Sequence, residues 1–159
     1  MDLDFRFEEA ILLHCTAQAL ACLLPDEADK TDTSGSGPIL CTSTALCYSG
    51  LLSLYDLYSC TERAPEGAPA TQLVMQEAAI SGLRGMSGEV VTLTRRTRSF
   101  TETSSVQKIS PLVTDCLYQA AANYAWYVRE SGDEECVQNL VEVKDLLKTL
   151  NRRWRVAGK

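Results

Sequence analysis

Apolar residues along this chain recur mostly at spacings of three and four, the period of helices that bury one side. The clearest run lies near the end, where Cys136, Leu140, Val143, Leu147, Leu150 and Trp154 form a single stripe. Ahead of it, Ser110 is placed to accept hydrogen bonds from the free N–H groups of a helix that Pro111 begins, and Gly132 permits a left-handed stop. Asp133 then caps a second helix, with Glu134 and Glu135 at its positive end and Lys148, Arg152, Arg153 and Arg155 toward its negative end. The segment from Ser110 onward therefore predicts a helical hairpin.

Three more helices are expected upstream. Residues 4–24 form the first, with Asp4 as cap and Pro25 as stop. Ala10, Leu13, Ala17, Leu20 and Leu24 line one side and Ile11, Cys15 and Cys22 a neighbouring one, which predicts a central helix with little exposed surface. Pro38 opens the second, which reaches about Cys60 and carries no charge except Asp56, a composition that predicts burial on most sides. Thr71 starts a third that runs to about Phe100 through Gly82, Gly85 and Gly88. Each glycine costs about 1 kcal/mol against alanine in a helix interior, and their spacing near one face predicts a close helix crossing or a kink. Ser, Thr, Gly and Pro punctuation predicts flexible loops near 26–37, 61–70 and 101–109. Glu89 to Thr94 has local β-propensity, but one strand has nothing to pair with. The expected fold is all-α: one domain over 1–159, a compact bundle of about five helices ending in the hairpin.

With 159 residues and 45% hydrophobic composition the chain suits one ordinary core. Its net charge of -6 argues against free-standing nucleic-acid binding, which needs a basic surface. The charge is uneven: residues 1–70 hold 11 acids and 3 bases, residues 71–159 hold 10 acids and 12 bases. Such halves attract each other or serve separate partners. Six of the seven cysteines fall inside helical patterns, which predicts reduced, buried thiols and not a disulfide scaffold. No signal-peptide pattern opens the chain, and the apolar run from Ala10 to Leu24 reads as too short to span a bilayer, so a soluble intracellular protein without membrane contact is expected.

Candidate chemistry is sparse. Cys41 and Cys47 are six apart, Cys15 and Cys22 seven, and Cys60, Cys116 and Cys136 stand alone, so no tetrahedral metal site can be written from spacing. His14, the sole histidine, is flanked by Leu13 and Cys15; neighbours on a helix point about 100° apart, which opposes a Cys-His nucleophile pair and favours a packed histidine. No catalytic residue is assigned. Arg95-Arg96-Thr97-Arg98 and Arg152-Arg153-Trp154-Arg155 are either phosphate or import patches or, as the sequence favours, cations late in helices. Tyr48, Tyr55, Tyr118 and Tyr124 are the candidates for lining a small-molecule pocket, with helix packing as the alternative.

The runs Ser110-Pro-Leu-Val-Thr-Asp-Cys-Leu-Tyr-Gln-Ala-Ala-Ala-Asn-Tyr124, Arg129-Glu-Ser-Gly-Asp-Glu-Glu135 and Leu146-Leu-Lys-Thr-Leu-Asn-Arg-Arg-Trp-Arg-Val-Ala-Gly158 resemble the C-terminal part of the regulatory region of fungal transcription factors with a binuclear zinc cluster. A weaker echo covers Ile39 to Cys60. The resemblance spans half to two-thirds of the chain and rests on packing motifs. It implies a nuclear regulatory or effector domain that controls transcription through the transcription machinery or a regulatory protein, with a small-molecule effector and a homodimer both compatible with it. It also implies that zinc belongs only to a DNA-binding module of six cysteines, whose C-x-x-C pairs are not in this sequence, so this chain has no cofactor and no direct contact with DNA. The competing readings are a helical enzyme or binding protein for an apolar small molecule, and a helical adaptor unrelated to transcription.

Overall fold

The computed structural model describes residues 3–30, 37–59, 70–102 and 109–157. Among them are five helices and no strand: α1 (Leu3–Lys30), α2 (Gly37–Tyr58), α3 (Ala70–Glu102), α4 (Pro111–Ser131) and α5 (Glu134–Ala157). The all-α expectation holds, and so does the C-terminal hairpin. The Ser110 side chain accepts from the Leu112 N–H, Gly132 closes α4 with φ 65° and bonds back to the Val128 carbonyl, and the Asp133 carboxylate accepts from the Glu135 N–H at 2.9 Å. Val143, Leu146, Leu147 and Leu150 bury the inner stripe of α5, with Cys136 and Leu140 packed at its edge. The Trp154 side chain lies outside the described residues.

The central helix is α2. It packs against α1, α3 and α4, while α5 docks on α4 and α3. Phe7 of α1 meets Tyr58 of α2 edge to face at 5.7 Å, so these two run antiparallel. Ser49 and Ser53 reach Asp115 and Gln119 of α4 at 3.5 and 3.2 Å, so α4 lies parallel to α2 on the other side. The result is a row of α1, α2, α4 and α5, with α3 crossing one side of it and touching all four. An almost charge-free helix can occupy the middle because its hydroxyls are satisfied locally: Thr42 and Thr44 each donate to the carbonyl four residues back at 2.9 Å.

The first helix departs from its expected role. Among the described side chains of α1 only Ala10 and Ala21 are buried, whereas Leu12, Leu13, Leu20 and Leu23 are exposed, as are Cys15 and Cys22. Small residues on the inner side let α1 lie close to its neighbours, and the bulky leucines face outward. The helix also continues across Pro25 to Lys30. A proline inside a helix removes one ladder bond, a cost of about 3 kcal/mol.

The helices extend into the segments expected as loops. Residues 31–36, 60–69 and 103–108 are outside the described residues, so most of the expected loops, with Ser34 to Ser36, fall there. Residues 26–30, Gly37 and residues 101–102 are instead helical, and Ile109 is buried in the core.

Two glycines have steric roles. A Cβ on Gly37 would overlap the Phe100 ring, and one on Gly82 would overlap the Tyr55 ring. Gly85 and Gly88 face open space, so of the close crossing or kink expected of the three glycines of α3, a close crossing is found at Gly82 alone. Thermal melts should therefore separate them. Gly85→Ala and Gly88→Ala should each stabilise by about 0.5–1 kcal/mol through helix propensity, while Gly82→Ala should destabilise by about 1–3 kcal/mol through overpacking. Equal shifts at the three positions would refute the assignment.

Candidate functional site

Tyr48 and Tyr55 are seven residues apart on α2 and so share its inner side; Tyr124 occupies the inner side of α4. All three are buried and reach the middle of α3. The Tyr55 ring fills the space left by Gly82, and its hydroxyl shares a hydrogen bond with Nδ1 of His14 on α1 at 2.8 Å. Tyr48 donates to Oε2 of Glu89 at 3.1 Å, and Tyr124 donates to the Ser87 carbonyl. Tyr118, the fourth candidate, is 70% exposed on the opposite side of α4. The structure thus brings three of the four tyrosines to one segment of α3 and leaves the fourth at the surface.

Burial favours the neutral phenol at each of the three. It pushes Tyr48 well up, with the Glu89 carboxylate adding to the effect, raises Tyr55, and brings Tyr124 to about 12. Each hydroxyl has a protein partner: those of Tyr48 and Tyr124 tie α2 and α4 to α3, and that of Tyr55 ties α1 to α2. His14 takes part as an acceptor or donor to Tyr55, its ring 5.5 Å from the phenol. It is half-buried, not enclosed, while Cys15 beside it is exposed.

The six described cysteines are free thiols, but they are not uniformly buried. Cys41 and Cys116 are in the core, where desolvation raises the first and pushes the second up to about 12. Cys15 and Cys22 are exposed because α1 lies at the edge of the row. Among the described residues no three His, Cys, Asp or Glu side chains are grouped to hold a metal ion. Peptide-resolved alkylation of the native protein should label Cys15 and Cys22 quickly and leave Cys41 and Cys116 at least tenfold slower until denaturant is added. Fast native labelling of Cys116 would contradict the packing described here.

The basic cluster on α3 is engaged, though not for the reason its position suggested. It lies inside α3, short of the last turn. Arg95 grips the Glu142 carboxylate of α5 with two N–H groups at 3.0 and 2.9 Å, and Arg98 donates to the Glu142 carbonyl at 3.1 Å. The second cluster retains only Arg152 among residues whose side chains are described.

What sequence reasoning missed is the outside of the row. Stretches Arg6–Leu24 and Gly37–Tyr58 are each long and apolar enough, by length and composition, to cross a membrane, so the shortness expected of the first run does not hold. For α2 the explanation is its place in the core. For α1 the apolar side chains face out, with Leu12 67% and Leu23 62% exposed. Compared with family models, curated proteins and solved structures, the chain finds no match in any of the three.

Proposed function

We propose that this chain is a regulatory domain of the kind found in fungal transcription factors with a binuclear zinc cluster, acting in the nucleus by binding the transcription machinery or a regulatory protein. The observation that carries the reading is the apolar outer surface of the helical row, which offers a protein-binding face. The residues of the resemblance are consistent with it: Val113, Cys116, Leu117, Tyr124, Leu146 and Leu150 are buried and build a scaffold. Zinc in this reading belongs to a separate DNA-binding module, and a small-molecule effector would modulate the same contacts.

The test fuses the chain to an unrelated DNA-binding domain in a fungal cell. Reporter output should change by at least threefold, and the isolated chain should show no salt-sensitive binding to duplex DNA above the non-specific level. Leu117→Asp should abolish the effect by unfolding the domain, whereas His14→Ala should retain it wherever circular dichroism shows a folded protein. Fusions indistinguishable from the DNA-binding domain alone would overturn the transcriptional reading.

A further inference from the structure

Three sides of α2 are occupied. His14 and Phe7 of α1 meet Tyr55 and Tyr58, Asp115 and Gln119 of α4 meet Ser49 and Ser53, and Gly82 and Glu89 of α3 meet Tyr55 and Tyr48. The fourth side carries Ile39, Leu46, Gly50 and Leu57, whose spacings make one stripe, and all four are exposed. Ile39 is 68% and Leu57 71% exposed. Flanking helices add exposed apolar residues of their own: Leu12 and Leu23 on α1, Tyr118 and Trp126 on α4.

Size and charge identify what fits. Helices pack about 9 Å apart and the stripe rises about 27 Å, so three adjacent helices present roughly 700 Å², close to the approximately 800 Å² that each partner gives to a standard interface. Along α2 the one charged side chain is Asp56, and α1 has none from Leu12 to Leu23. Where Phe7 meets Tyr58, Glu8, Glu9 and Asp56 are exposed, three carboxylates beside one guanidinium, Arg6, among the described side chains there. Among the described residues of this surface, a second copy would bring its own carboxylates and no matching cluster of cations, and the same carboxylates oppose an anionic bilayer.

The geometry points to a helical partner segment, apolar on one side and ending in Lys or Arg, that lies along α2 with its basic end over Glu8, Glu9 and Asp56. This rests on the protein-contact reading above and names its surface. Gly50, with nothing within 4 Å of a Cβ built on it, leaves a shallow place between Leu46 and Leu57 for a large apolar side chain of the partner.

The test titrates the full chain, by fluorescence anisotropy, with two synthetic helical peptides that share a leucine stripe, one ending in three lysines and the other in three glutamates. The lysine peptide should bind at least tenfold tighter. Leu46→Arg, at an exposed position, should weaken it at least tenfold without changing the circular dichroism. Replacing Glu8, Glu9 and Asp56 by their amides should weaken it three- to tenfold and flatten its salt dependence. Equal binding of the two peptides, or indifference to Leu46→Arg, overturns the inference. So does a dimer in sedimentation that Leu46→Arg dissociates, which gives the face to a second copy, or binding to phosphatidylcholine–phosphatidylserine vesicles that the same variant loses. A silent reporter with a discriminating lysine peptide removes the transcriptional reading and leaves the surface; an active reporter indifferent to Leu46→Arg, with no peptide preference, does the reverse.

Discussion

Tyr55→Ala is expected to cost about 3–5 kcal/mol of folding stability, the range for truncating a buried aromatic side chain. Tyr55 is 1% exposed and joins three helices at once, with its ring against Gly82 of α3 and its hydroxyl on His14 of α1. Alanine would empty that volume, and Gly82 has no side chain with which to fill it. Since a domain's whole stability is commonly about 5–15 kcal/mol, this variant should lie near the edge of folding. Tyr55→Phe keeps the ring and loses the hydrogen bond, so it should cost about 0.5–1.5 kcal/mol. Tyr118→Ala, at an exposed position, should stay within about 0.5 kcal/mol of the parent. Urea titrations of the three variants are the check; a Tyr55→Ala midpoint beside that of Tyr118→Ala would remove Tyr55 from the centre of the fold.

Leu150→Ala should be the second large effect, about 2–5 kcal/mol. Leu150 is buried on the inner side of α5, where the hairpin closes on the rest of the row. Lys148 on the same helix points to solvent and pairs with Asp145 at 2.9 Å, an exposed contact of the kind that contributes little. Lys148→Ala should leave the urea midpoint nearly unchanged. The contrast within one helix checks the orientation of the stripe, and similar small shifts at both positions would show that α5 does not bury it.

The hairpin was legible because its signals are local: Ser110, Pro111, Gly132 and Asp133 set their own helix ends, and α5 has a polar side that tells the apolar one where to turn. No such signal exists on α1. It is apolar nearly all round, so spacing could not say whether Ala10 and Ala21 or Leu12 and Leu23 face inward, and the answer depends on how closely α2 and α3 approach. The tyrosines were visible as candidates, but their partners were not. Glu89, Ser87 and His14 come to them through tertiary contacts between residues far apart in sequence. Similarly, Gly82, Gly85 and Gly88 look alike on a helix, and only the Tyr55 ring distinguishes the first.

The two glycine–aromatic contacts also fix how α2 and α3 can move. Phe100 of α3 sits over Gly37 of α2, and Tyr55 of α2 sits over Gly82 of α3. Residues 37 and 55 are as far apart on one helix as residues 82 and 100 are on the other, and Tyr48 to Glu89 falls on the same antiparallel alignment. A slip by one turn, about 5.4 Å, would drive both rings into side chains and break the Tyr48 bond in the same step. Sliding of one helix past another is a common way for packed helices to switch, and this pair is bolted against it from both sides. Rearrangement of the bundle is therefore expected in the docking of α1, α4 or α5, with α2 and α3 as the fixed frame.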